Sequence, residues 1–206
     1  AYKFITALLH SKDITWVPLS VGEMVRVSRN IGLKILDSDL SAANGGNDGT
    51  MSDDILMVGL QQQNMLILPV EVKTGSKPDY KHAKKQVINL KNHLESQLKP
   101  RTLKGKLNRA LFFRQLIAQI DKYKLYKVFP TNYFEKELIE RNEWLRGEYS
   151  LQKSEELPNG VVVSHIDSDS FFEPDYNDDN DENVLLIDLP IALLNSLVTG
   201  SLKDFL

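Results

Sequence analysis

The stretch Asp54-Ile-Leu-Met-Val-Gly59, followed after Gln61-Gln-Gln-Asn64 by Leu66-Ile-Leu-Pro-Val-Glu71-Val72-Lys73, decides how this chain is read. Each half is a short apolar run of strand-forming residues, and the Gln/Asn spacer suits a hairpin turn. The two runs are therefore expected as neighbouring strands, with an acid at the head of the first and Glu-x-Lys at the tail of the second. Two carboxylates supply negative oxygens to a hard cation. A lysine one alternation past Glu71 shares its strand face, where it can hold an attacking water or the charge developing on a phosphate. The pattern points to metal-assisted phosphodiester hydrolysis. The plainer reading is a turn aspartate and a surface Glu/Lys pair, worth only about 0–1 kcal/mol. Asp53 and Asp54 compete for the first position. Asp54 shares a face with Leu56 and Val58, Asp53 with Ile55 and Met57, so periodicity alone does not choose between them.

Charge is distributed very unevenly. Residues 73–127 carry 15 Lys/Arg against three acids, whereas residues 128–206 carry five against 17, so a formal net charge of −3 conceals a strongly dipolar chain. A basic block beginning at Lys73 suits a polyanion, because each neutralised phosphate releases counterions. DNA or RNA is the natural partner, and Lys77, Lys81, Lys84, Lys85, Lys104, Lys106 and Arg109 are the candidate contacts. The competing explanation is that these lysines are the solvated faces of two helices.

These residues resemble the PD-(D/E)xK nucleases of the restriction-endonuclease-like fold, through Asp54, Glu71 and Lys73 and the apolar runs that carry them. The similarity covers roughly residues 20 to 95. It implies an α/β fold with an αβββαβ core, a mixed central sheet flanked by helices, and here a helical insertion. It implies Asp54 rather than Asp53 as the ligand, since the family's acid directly precedes the apolar run. It further implies Gln86, in Lys84-Lys85-Gln86, as a catalytic partner, and Glu23, in Ser20-Val-Gly-Glu23, as a third acid. Asp54, Glu71, Glu23 and the Val72 carbonyl would hold Mg²⁺ or Mn²⁺, Lys73 would position or deprotonate water, and the substrate would be DNA. A narrower resemblance, through Trp16-Val-Pro-Leu-Ser-Val-Gly-Glu-Met-Val-Arg-Val and Ser52-Asp-Asp-Ile-Leu-Met-Val-Gly, is to a domain of the ATPase-linked components of phosphorothioation-dependent restriction. That resemblance implies phage defence, with an ATPase or translocase region of the same larger protein and other restriction subunits as partners. A repair nuclease of the same fold and a non-catalytic nucleic-acid-binding or assembly module are the competing functions.

The 206 residues, 42% hydrophobic, suit a single domain, with its core at about 15–98 and 158–206 and the helical insertion at about 100–150. The first residue is Ala rather than Met, which reads as excision from a longer protein. No apolar run approaches a membrane span, and no signal peptide opens the chain. Zero cysteines exclude a disulfide scaffold and fit a soluble, cytoplasmic protein.

The remaining pattern predicts a helix from the Ser20 cap through about Ser28 and a first short strand at Leu33–Leu36, then an Asn/Gly-rich loop at Ala42–Thr50 that lacks a nucleotide-binding P-loop. A helix from Pro78 should bury Ala83, Val87, Leu90, Leu94 and Leu98 and break at Pro100. A second, from Leu103, should bury Leu107, Ala110, Ile117 and Ile120. A third runs from Asn132 to Gly147, strands follow at Gly160–Val163 and Val184–Ile187, and a last helix begins at Pro190. Asp167–Glu182, with eight acids, reads as a solvated linker without the glycine of a calcium loop. The four histidines lack metal-ligand spacing.

Overall fold

The computed structural model describes residues 1–24, 55–74, 79–135, 141–165 and 182–201, and the backbone of 175–179. Its elements are α1 (Tyr2–Leu8), β1 (Thr15–Ser20), β2 (Ile55–Gln61), β3 (Asn64–Thr74), α2 (Tyr80–Leu98), α3 (Leu103–Leu125), α4 (Arg141–Leu145), β4 (Ser150–Leu151), β5 (Gly160–His165), β6 (Asp175–Asp179), β7 (Val184–Leu189) and α5 (Ile191–Thr199). A mixed sheet runs β1-β2-β3-β5-β7-β6, with β4 beside β3. The pairs β1–β2, β2–β3 and β6–β7 are antiparallel, and β3–β5 and β5–β7 are parallel. The chain is α/β, with helices on both faces of the sheet.

The hairpin forms as its spacer predicts. Gln61 pairs with Asn64, and the turn puts Gln62 at φ 53°. Strand alternation then sorts the apolar side chains. Leu56, Val58, Leu60, Met65 and Ile67 enter one core with α2 and α3, while Met57, Leu66, Leu68 and Val70 enter another with Ile5 of α1 and Leu197 of α5. Pro69 lies inside β3, an unusual place for a residue without an N–H. On the edge away from β2, β4 pairs only Asn64 and Met65 and β5 begins at Val70, so Pro69 falls in the interval between them.

The α2 stripe buries the five predicted residues, with Asp79 accepting from the His82 backbone N–H at 2.9 Å as its cap. Closeness to the sheet depends on Gly160. A Cβ there would lie 2.6 Å from Cβ and Cγ2 of Val87. Gly160→Val should therefore lift α2 and cost about 1–3 kcal/mol of stability in a urea melt; an unchanged midpoint would mean that the helix has room to spare.

Several expectations are corrected. The strand at Thr15–Ser20 was not foreseen, because Pro18 interrupts its pattern; β1 tolerates the proline because, among the described strands, it has a neighbour on one side alone, β2. Residues 21–24 do begin a helix, with the Glu23 N–H donating to Ser20 Oγ at 3.3 Å, but the predicted strand at Leu33–Leu36 and the 42–50 loop lie outside the described residues. In α3 the buried stripe is Phe112, Phe113, Leu116, Ile117 and Ile120, whereas Leu107 is exposed and Ala110 only partly buried. Two adjacent phenylalanines facing inward set the helix rotation, and that rotation turns Leu107 out. The segment read as a helical insertion packs on the sheet, with α3 and Trp144 sharing the core of β1 and β2. The acidic segment is not wholly a linker either. Asp175–Asp179 forms an edge strand on β7, so backbone pairing overrides its solvated composition there.

Candidate active site at the end of strand 3

Glu71 and Lys73 lie near the carboxyl end of β3. Their odd parity with Met65 and Ile67 turns them to the α2 side of the sheet. Glu71 is 4% exposed, unusual for a carboxylate unless it is paired. Lys73 Nζ donates to Glu71 Oε1 and, at 2.9 Å, to Gln86 Oε1 on α2. Three residues picked from the sequence are thus one hydrogen-bonded unit, with the lysine held between a carboxylate and an amide. Val72 lies between them, opposite Val163 on β5. Asp54 and Lys77 lie outside the described residues; Ile55, which follows Asp54, pairs with Val70, which precedes Glu71.

Glu23 lies just past the end of β1. Ser20 pairs with Ile55 and Ile55 with Val70, so Glu23 belongs to the same end of the sheet as Glu71, two strands away. Its carboxylate accepts from Lys122 Nζ at 3.1 Å. Among the described residues, no three acids or histidines are gathered into a ready-made metal cage.

A polar row that the sequence did not reveal extends the site sideways. Lys73 stands opposite Ser164 on β5, and Ser164 opposite Asp188 on β7. Tyr80, the first residue of α2, donates to Asp188 Oδ1 at 2.7 Å and lies 3.1 Å from Ser164 Oγ, which also donates to Asp188. These hydroxyl contacts tie the start of α2 to the carboxyl ends of the parallel strands, the edge of an α/β sheet where ligands usually bind. Asp188 had a sequence signal, since it closes the apolar run Val184-Leu-Leu-Ile187 much as Glu71 closes its own. Tyr80 and Ser164 had none.

The basic helices separate into two groups. Lys81 and Lys85 are exposed on α2 beside Gln86, and Lys84 is half-buried between them. Lys104 is exposed on α3, whereas Lys106 pairs with Glu148 at 3.0 Å. Arg109 is committed to the fold, donating to the carbonyls of Gly147, Leu98 and Pro100. Lys91 donates to Asn159 Oδ1 at 3.1 Å, and burial lowers its amine below the usual value, with Glu95 countering in part. Lys81 and Lys85 are thus exposed cations next to the site, with Lys84 half-buried between them.

Compared with protein-family models, with curated proteins and with solved structures, the chain matches none of them. No helix among the described residues is long and apolar enough to cross a membrane.

Proposed function

We propose that this chain is a metal-dependent DNA nuclease of the restriction-endonuclease-like kind. The observation that carries the reading is the Glu71–Lys73–Gln86 unit, a buried carboxylate and a half-buried lysine on one strand face, joined to an amide from the next helix. The mixed α/β sheet, with β2 and β3 as a hairpin leading into α2, supports it at the level of fold class. Asp53 and Asp54 both lie outside the described residues, and the preference for Asp54 rests on the resemblance.

The group implied is Mg²⁺ or Mn²⁺. Glu71 and the Val72 carbonyl, at the carboxyl end of β3, offer oxygens suited to a hard cation, whereas Glu23 is paired with Lys122 and Asp54 lies outside the described residues. When bound, such a cation makes water a better nucleophile and offsets charge on the phosphoryl oxygens. The protein's own contribution is to fix Lys73. Glu71 and Gln86 hold its amine in one place, so it can orient the attacking water or donate to a phosphate oxygen without reorganising. Lys81, Lys84 and Lys85 suit the neighbouring backbone phosphates.

The proposed setting is a bacterial restriction or defence protein, cytoplasmic, working with an ATPase or translocase region and partner subunits; its support is the resemblance of the residues alone. Mn²⁺ calorimetry tests the metal site. Saturable binding that disappears in Glu71→Ala is expected, whereas no binding, or equal binding by the variant, would count against the proposal.

A further inference from the structure

Gln115 is an anomaly in α3. It is 8% exposed within the stripe of Phe112, Phe113, Leu116 and Ile117, yet neither its amide nitrogen nor its amide oxygen has a hydrogen-bond partner. Buried amides in native proteins are almost always satisfied, so a wholly unpaired one asks for a cause. The cause we find is next to it. Gln115 borders a cavity of about 120 Å³ walled by Leu19, Met24 and Ala118, with Ser20, Gln119 and the Glu23–Lys122 ion pair completing its lining. The lining is mainly apolar, and the volume is well below the roughly 300–1,000 Å³ of pockets for drug-sized ligands. One ring system is the appropriate occupant.

The place narrows the chemistry. Leu19 pairs with Leu56 and Leu56 with Pro69, and all are on the face that carries Glu71. Strands lie about 4.8 Å apart and Leu19 is level with Pro69, two residues before Glu71, so Leu19 is about 12 Å along the sheet from Glu71, on the same face and at the same end. That is on the scale of about two nucleotide steps of extended single strand. A glutamine amide offers one donor side and one acceptor side, and its complement on DNA is the N6/N7 edge of adenine. We propose that this cavity receives one unstacked nucleobase, preferably adenine, near the phosphate presented to Lys73, with Gln115 turning its amide to the base edge. The proposal rests on the nuclease reading and adds a specificity-determining residue to it.

The test compares binding of fluorescently labelled dA12 and dT12 by the full chain, by anisotropy in EDTA, with metal-dependent plasmid nicking measured in parallel. The wild type should prefer dA12 by about five- to tenfold, within the range of one bidentate amide–adenine pair. Gln115→Leu should abolish that preference and leave dT12 affinity unchanged. Because it also removes an unpaired amide from the core, the same variant should melt a few degrees higher, which certifies that it folds. Ala118→Met, which fills the cavity from its exposed mouth, should abolish the preference independently. Equal binding of dA12 and dT12 by the wild type, a preference that survives both variants, or an equal loss for both oligomers would each overturn the base site. If nicking persists in those cases, the nuclease reading stands; no binding of either oligomer together with no nicking overturns both.

Discussion

Glu71→Gln is expected to reduce metal-dependent DNA hydrolysis by about 10³-fold or more while the chain remains folded. The substitution keeps the shape of the side chain and an oxygen that can still accept from Lys73 Nζ. It removes a negative charge from a position that is 4% exposed, where that charge is the donor a hard cation requires. Lys73 retains its 2.9 Å bond to Gln86, and its side chain is 24% exposed, so water can also reach it. The change in stability should therefore stay within about 1–2 kcal/mol. A residue kept for stability would behave oppositely, with a large shift in melting and a small one in rate. Circular dichroism melts and nicking rates measured on one preparation distinguish the two.

Trp144→Ala is expected to cost about 3–5 kcal/mol, a large share of the 5–15 kcal/mol that holds a typical domain together. Trp144 is 1% exposed and stacks on Phe113 of α3 with centroids 5.1 Å apart, and its ring lies 4.9 Å from that of Tyr149. The Tyr149 hydroxyl donates to the Arg109 carbonyl at 2.9 Å, and burial raises its pKa well above the usual phenol value. This aromatic stack fastens the segment after α4 to α3, and α3 in turn packs over β1 and β2. Trp144→Phe should cost much less. It keeps most of the ring contact and removes an indole N–H that has no partner. Urea denaturation of both variants checks the ordering, and equal losses would show that the indole nitrogen contributes in a way its surroundings do not explain.

The parts of the fold that the sequence disclosed are those where one periodicity governs. The hairpin, the α2 stripe from Ala83 to Leu98, β5, β7 and the final helix each follow from a single run of apolar spacing, and all stand where the pattern puts them. The misses occur where a second requirement competes. Pro18 hid β1, since local propensity says nothing of a strand whose partner β2 is some forty residues ahead. Leu107 was assigned to the core because its spacing fits, but Phe112 and Phe113 bury more surface and fix the rotation of α3. Acidic composition hid β6, which is held by backbone pairing to β7.

The candidate site was legible to a different degree. Glu71 and Lys73 share a face by alternation alone, whereas the position of Gln86 came from the resemblance and not from spacing. Its 2.9 Å contact with Lys73 is a tertiary fact that depends on how closely α2 can approach over Gly160. Tyr80, Ser164 and Asp188 meet only because two strand ends and a helix start converge, and no local pattern encodes that convergence. Arg109 shows the reverse case. It was a candidate DNA contact in the sequence, yet three carbonyl acceptors, two at the end of α2 and one at Gly147, use its guanidinium as a structural tie.

The central claim is that the unit built on Lys73 cuts DNA. Its most direct test is to incubate supercoiled plasmid with the purified chain in Mg²⁺ and in Mn²⁺, beside EDTA and Lys73→Ala controls. Nicking by the wild type that needs the metal and disappears in Lys73→Ala is the predicted result. Nicking that persists at the wild-type rate in Lys73→Ala, or that ignores EDTA, would contradict the account.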